Sequence, residues 1–141
     1  MMSTILTPVL ALVAWSLVMW FWLYATRIPA MQKAKIDPQR AVQEGTLGLK
    51  GPAQWPADNY NHLMEQPTIF YALAFYVYLS GTETTLNVAL AWAYVGLRVL
   101  HSFVQSIGNI VRLRFTVFSI ASLCLVAIVV EQAIGLIRSG Y

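Results

Sequence analysis

Arg98–Arg114, RVLHSFVQSIGNIVRLR, lies between two long apolar runs and carries polar side chains where membrane-crossing helix is expected. At ~100° per residue, positions i, i+3 and i+7 share a helix face, so Arg98, His101 and Gln105 form one stripe. Tyr94 extends that stripe by one turn. An ionisable side chain inside a membrane helix costs roughly 3 kcal/mol unless it is paired or wetted. Such a residue marks a site by default, and the rest of the chain reads as its housing.

Composition supports the membrane class. The 141 residues are 58% hydrophobic and only 11% charged. Soluble domains carry about 25% charged residues, so this chain cannot cover a water-facing surface. Its length suits one domain, residues 1–141, with four spans of ~20 residues and one longer loop. The net charge of +3 is too small to argue for a nucleic-acid partner. A single cysteine, Cys124, excludes an internal disulfide and a cysteine-based metal site. Because Cys124 stands in an apolar run, packing is its expected role.

The spans are expected near residues 5–26, 60–79, 84–107 and 111–137, with a polar loop over 28–59. The first is uncharged, and Pro8 sits in its first turn, where a missing N–H costs little. It lacks the basic start and small-residue cleavage site of a signal peptide, so a retained helix is expected. In the loop, Asp37-Pro38 reads as an N-cap and a helix-starting proline, predicting a short interfacial helix over Pro38–Glu44. Gly45, Gly48, Gly51, Pro52 and Pro56 then break regular structure. The second span opens with Asn61, His62 and Glu65, and Pro67 is expected to bend it. Ser80-Gly81-Thr82 and Gly108-Asn109 read as tight turns.

Charge sets the expected orientation. Arg27, Lys33, Lys35, Arg40, Lys50, Arg112 and Arg114 fall on or beside the first-to-second and third-to-fourth connections, leaving Arg138 on the other side. The positive-inside rule makes those connections cytoplasmic and both termini non-cytoplasmic. In a compact bundle, Glu65, Arg98, His101, Gln105 and Arg114 would then line one cavity open to the cytoplasm. Arg98 needs an acceptor, and Glu65 is the acidic candidate. A purely structural Arg98–Glu65 pair pinning two helices is one reading. The other starts from the excess of cations over one carboxylate, which suits an anionic ligand, either a carboxylate or a thiolate. A guanidinium favours the anionic form of a thiol whose ordinary pKa is ~8.5. Arg114 adds the partial positive charge of a helix N-terminus. His62, His101 and Glu65 lack the HExxH type of ligand spacing, so no metal is expected.

Two segments, Asp58–Phe70 (DNYNHLMEQPTIF) and Arg98–Arg114, resemble the MAPEG family, membrane-associated proteins in eicosanoid and glutathione metabolism. The resemblance extends over nearly the whole chain and is nearest to small bacterial members. That family has Arg-Asn-x-x-Glu opening its second helix, Arg-x-x-His in the third and an Arg early in the fourth. Glu65, Arg98, His101 and Arg114 match in type and spacing. Asn61 and His62 stand where Arg-Asn is usual, and Gln105 and Phe118 where several family enzymes carry Tyr.

The resemblance implies an all-α four-helix membrane bundle, a homotrimer, in a bacterial inner membrane. It implies glutathione as co-substrate, held between subunits near the cytoplasmic face. Arg114 would activate the thiol; Glu65, Arg98, His101 and Gln105, with Asn61 and His62, would bind the tripeptide. The expected partners are membrane lipids, a second and third copy, and a hydrophobic electrophile or lipid hydroperoxide entering from the bilayer. The family also holds a non-enzymatic lipid-presenting member, so a lipid-binding or scaffold protein is the alternative. A small drug exporter is weaker, because the first span has no acidic residue.

Overall fold

A computed structural model describes residues 4–35, 39 and 54–140, apart from the side chains of Ala57 and His62. Its long elements are four helices: α1 (Leu6–Ala34), α2 (Trp55–Ser80), α3 (Thr85–Phe103) and α4 (Val111–Ser139). A single π-helical turn, Val104–Gly108, prolongs α3. The expected interfacial helix over Pro38–Glu44 lies outside the described residues, Gln39 aside.

Each helix end has a local cause. α1 runs past the expected boundary and takes up the first part of the supposed loop, including Pro29. The Ala30–Ala34 stretch, AMQKA, is built of good helix formers, and these carry the helix across one proline until Lys35 turns left-handed at φ 54°. α2 likewise starts five residues before Tyr60, with Pro56 in its first turn, where no N–H partner is needed. Gly81 ends α2 at φ 70°, a conformation glycine adopts without Cβ strain. Thr84 caps α3, its Oγ1 accepting from the Asn87 N–H at 3.1 Å. The π-turn closes with the Asn109 N–H donating to the Val104 carbonyl, and Asn109 itself is left-handed at φ 46°.

In sequence order the helices pair as hairpins, α1 on α2 and α3 on α4, with α1 also packed on α3. The end of α1, the start of α2, the π-turn and the start of α4 lie at one end, the basic pole, which carries Arg27, Lys33, Arg112 and Arg114. At the distal pole the Ile5 N–H donates to Glu83 Oε2 at 2.9 Å, tying the start of α1 to the α2–α3 turn.

The bundle exposes many large apolar side chains and buries several polar ones beside its apolar core. Leu79, Ile137 and Phe115 are exposed, while Arg98, His101, Ser102, Gln105 and Asn59 are buried. A water-soluble fold does the reverse; this distribution suits lipid around the bundle. α1, α3 with its π-turn, and α4 are long and apolar enough to cross a membrane. α2 has comparable length but carries Asp58, Glu65 and several amides, so among the described residues three helices pass on composition and α2 is the more polar fourth.

Lipid gives helices little hydrophobic reason to associate, so packing and interhelical hydrogen bonds hold the bundle. Phe70 stacks on Tyr94 at 4.8 Å between α2 and α3. Trp15 Nε1 donates to Ser102 Oγ at 3.0 Å, joining α1 to α3. Tyr94 Oη donates to Gln66 Oε1 at 3.3 Å, and Gln66 Nε2 donates to Ser122 Oγ at 2.8 Å. This chain links α3, α2 and α4 just beside Arg98, each bond contributing about 0.6–2 kcal/mol.

Candidate functional site

Arg98 is fully buried one turn from Tyr94. Nε, Nη1 and Nη2 find no hydrogen-bond partner among the described residues. Its guanidinium carbon lies 6.0 Å from the Phe118 ring centre, a cation–π approach at the outer limit of useful distance. Among the described residues, Glu65 is the carboxylate whose charge acts on it. Glu65 is exposed on α2 and makes no hydrogen bond to Arg98, so its carboxylate reaches the guanidinium only through the field. Within one chain, then, the Arg98–Glu65 pair is not closed.

Arg114 stands in the first turn of α4, half-buried. One arm is fixed: Nη1 donates to Asn109 Oδ1 at 2.7 Å. A guanidinium has five N–H donors, so the other arm keeps its capacity. The left-handed Asn109 is what turns the chain sharply enough to bring its own amide under Arg114.

A cavity of about 240 Å³ opens here, lined by His101, Val111, Arg114, Phe115 and Phe118. The chain therefore brings His101 and Arg114 to one space. Arg98 does not border it, and the Phe118 ring lies 6.0 Å from the Arg98 guanidinium carbon and 6.2 Å from the His101 ring centre. Gln105 is buried in the π-turn, with Oε1 lacking a partner among the described residues. Asn61 and Glu65 are exposed on α2 and border none of this cavity. His62 sits on α2 near them, its side chain outside the described residues. Single-chain geometry thus gathers two of the five expected residues, where the sequence placed all five around one space.

Other buried polar groups were not anticipated. Asn59 is fully buried in the first turns of α2, a helix that packs on the π-turn, and neither amide atom has a partner among the described residues. Ser106 Oγ is buried in the π-turn itself, with no partner among the described residues. Orphan buried polar atoms cost about 1–3 kcal/mol each, and native folds offset them with water or ligand. A π-turn widens a helix by one residue and often marks a site. Its one visible signal was the polar spacing Ser102, Gln105, Ser106 at the end of an apolar run.

What the fold and these side chains define is a helical membrane bundle with cationic groups buried near one pole. A family model resolves the class further: the MAPEG family matches residues 5–134, and the chain belongs to that family. MAPEG members include glutathione-dependent transferases and peroxidases as well as non-catalytic proteins. No curated protein and no solved structure matches the chain.

Proposed function

We propose that the protein is a glutathione-dependent membrane enzyme of transferase or peroxidase type, acting on a hydrophobic electrophile or lipid hydroperoxide. The observation that carries this is Arg98: a fully buried guanidinium with no hydrogen-bond partner among the described residues, one turn from His101, which shares a cavity with Arg114. Buried charge of one sign with unused donors fits an anionic ligand better than it fits a structural pair.

In this reading Arg114 uses its uncommitted arm to hold the glutathione sulfur as thiolate, aided by the start of α4. The thiol proton passes to water. The thiolate then attacks an electrophilic carbon; a C–S bond forms, and the displaced electron pair leaves with the leaving group or, in an addition, is protonated by water. With a hydroperoxide ROOH it attacks the terminal oxygen: an S–O bond forms, the O–O bond breaks, and the alkoxide leaves and takes a proton from water to become ROH; a second glutathione thiol then attacks the sulfenic acid, giving the disulfide and water. Arg98, His101, Gln105 and Glu65 hold the tripeptide's charged ends, with Asn61 and His62 at the rim. The single-chain cavity of about 240 Å³ is below the ~300–1,000 Å³ usual for such ligands, so a neighbouring copy completes the wall. That supports a homotrimer with shared sites. Membrane orientation in the proposal is basic pole cytoplasmic, both termini non-cytoplasmic, in a bacterial inner membrane, and the second substrate enters from lipid.

A specific observation favours a second reading. Arg114 is already bonded to Asn109, and Phe118 offers no hydroxyl toward the cavity. A non-catalytic lipid-binding or scaffold protein would keep the fold and tolerate both. The test is glutathione added to purified protein while the ultraviolet thiolate band is recorded. The enzyme reading expects a band in the wild type and none in Arg114→Ala. Absence of any band, with no rise in melting temperature, favours the scaffold.

A further inference from the structure

At the basic pole α1 is longer than a membrane needs. It has 29 residues, ~43 Å at 1.5 Å per residue, against a hydrocarbon core of ~30 Å. Leu10, Leu17, Phe21, Tyr24 and Ile28 are exposed at helical spacing, one lipid-facing stripe. Trp20 stands edge-on to Tyr24 at 4.9 Å and to Phe21 at 5.0 Å, and all three rings are exposed. Exposed Trp and Tyr mark the headgroup boundary of a membrane helix. Leu6 to Tyr24 rises ~27 Å and fills the hydrocarbon, so residues 25–34 stand ~15 Å beyond it.

Every charge on that extension and its cap is positive. Arg27 is half-buried just past Tyr24, and Lys33 and Lys35 are exposed. α1 has no acidic residue. The helix end does not need the ammoniums as caps, because the left-handed Lys35 backbone N–H already donates to the Gln32 carbonyl at 3.2 Å. Helical side chains lean toward the N-terminus, and α1 leaves the membrane by its C-terminus, so these cations lean back to the headgroups. Lys33 lies ~13 Å past Tyr24, and a stem of ~6 Å brings its ammonium within the ~8 Å Debye length of that boundary. Nor is the surplus cancelled along the chain. Residues 36–54 set Arg40 and Lys50 against Asp37 and Glu44, and the starts of α2 and α4 set Asp58 and Glu65 against Arg112 and Arg114. The net positive charge of this pole therefore belongs to α1.

We propose that the α1 extension is a binding surface for anionic phospholipid headgroups, which it selects over zwitterionic ones. Arg27 donates at phosphate level, Lys33 and Lys35 attract from above, and Trp20, Phe21 and Tyr24 lie against the acyl chains. Lipid is the occupant because the cations continue an exposed apolar stripe that a soluble anion would leave uncovered.

The test uses the full chain in phosphatidylcholine nanodiscs with trace spin-labelled phosphatidylglycerol or phosphatidylcholine. Electron paramagnetic resonance reads how strongly the protein surface holds each. Wild type is expected to hold phosphatidylglycerol at least ~5-fold over phosphatidylcholine, as cations near an anionic headgroup layer do. Most of that preference should vanish at ~1 M salt, where the Debye length is ~3 Å. Lys33→Gln with Lys35→Gln is expected to lower it at least ~3-fold, and Lys33→Arg with Lys35→Arg to keep it. Arg138→Gln, at the distal pole, should leave it unchanged. Both lysines are exposed, so these variants keep the fold. Equal retention of the two lipids by wild type overturns the proposal. So does an unchanged preference in the double glutamine variant, or an equal loss in Arg138→Gln. Loss of the preference when inorganic phosphate replaces chloride at constant ionic strength also overturns it, by making the ligand a free anion.

Discussion

Arg98→Met separates a functional cation from a structural one. The guanidinium is fully buried, and its three nitrogens have no hydrogen-bond partner among the described residues. Each unmade hydrogen bond costs about 1–3 kcal/mol in a dry interior, giving an upper bound of roughly 3–9 kcal/mol, much of it relieved by water or ligand. Apolar replacement of buried charged groups gains up to about 4 kcal/mol in measured cases, and methionine fills most of the aliphatic volume. We therefore expect ligand-free Arg98→Met to be about 1–4 kcal/mol more stable than wild type. At about 3 °C per kcal/mol for a chain of this size, its melting temperature rises by about 3–12 °C. The same variant should bind glutathione at least ~10-fold more weakly, since a charge-assisted hydrogen bond contributes about 1.5–3 kcal/mol. The assay is thermal melting in detergent with and without glutathione. Ligand at 100 times its Kd should raise wild-type stability by about 2.7 kcal/mol and leave the variant nearly unmoved. The reasoning is refuted if Arg98→Met melts lower than wild type and Glu65→Gln melts lower by the same amount, with no further loss in the double variant. That cycle would mean an Arg98–Glu65 brace.

Arg114→Ala should move the pH midpoint of the glutathione thiolate band up toward the ordinary thiol value of ~8.5, read by absorbance titration. The sign follows from charge: a cation stabilises the thiolate and lowers its pKa, so losing the cation raises it. Asn109→Gly keeps the left-handed turn but frees Arg114; the fold should survive by circular dichroism while glutathione affinity changes several-fold. Phe118→Tyr adds a donor beside His101 and should raise peroxidase or transferase turnover by ~10-fold or more, the scale at which such donors act. Gln66→Leu cuts the Tyr94–Gln66–Ser122 chain and should destabilise the bundle by about 1–3 kcal/mol in a melting assay.

How far the sequence carried differs between fold and site. Apolar run lengths and the Gly81 and Asn109 turns placed the helices, because membrane helices need long uncharged segments and left-handed turns need particular residues. Boundaries at Pro29 and Trp55 escaped, since one proline or a polar start does not stop a helix whose neighbours favour it. The Arg98–His101–Gln105 stripe was legible from periodicity alone and is buried as one face. Asn59 and Ser106 were not, because their burial comes from α2 packing on a π-turn, and a π-turn leaves no periodic signal. Nor could spacing show the Phe118 ring approaching both Arg98 and His101, or Asn109 holding one arm of Arg114.

The most direct measurement is a structure of the protein with glutathione bound. It should place the sulfur within about 3.5 Å of the Arg114 guanidinium arm that Asn109 leaves free, with a glutathione carboxylate near Arg98 or His101. A glutathione lying outside the helices, or a soaked protein whose Arg98 remains unpartnered and whose Arg114 touches only Asn109, would contradict the claim.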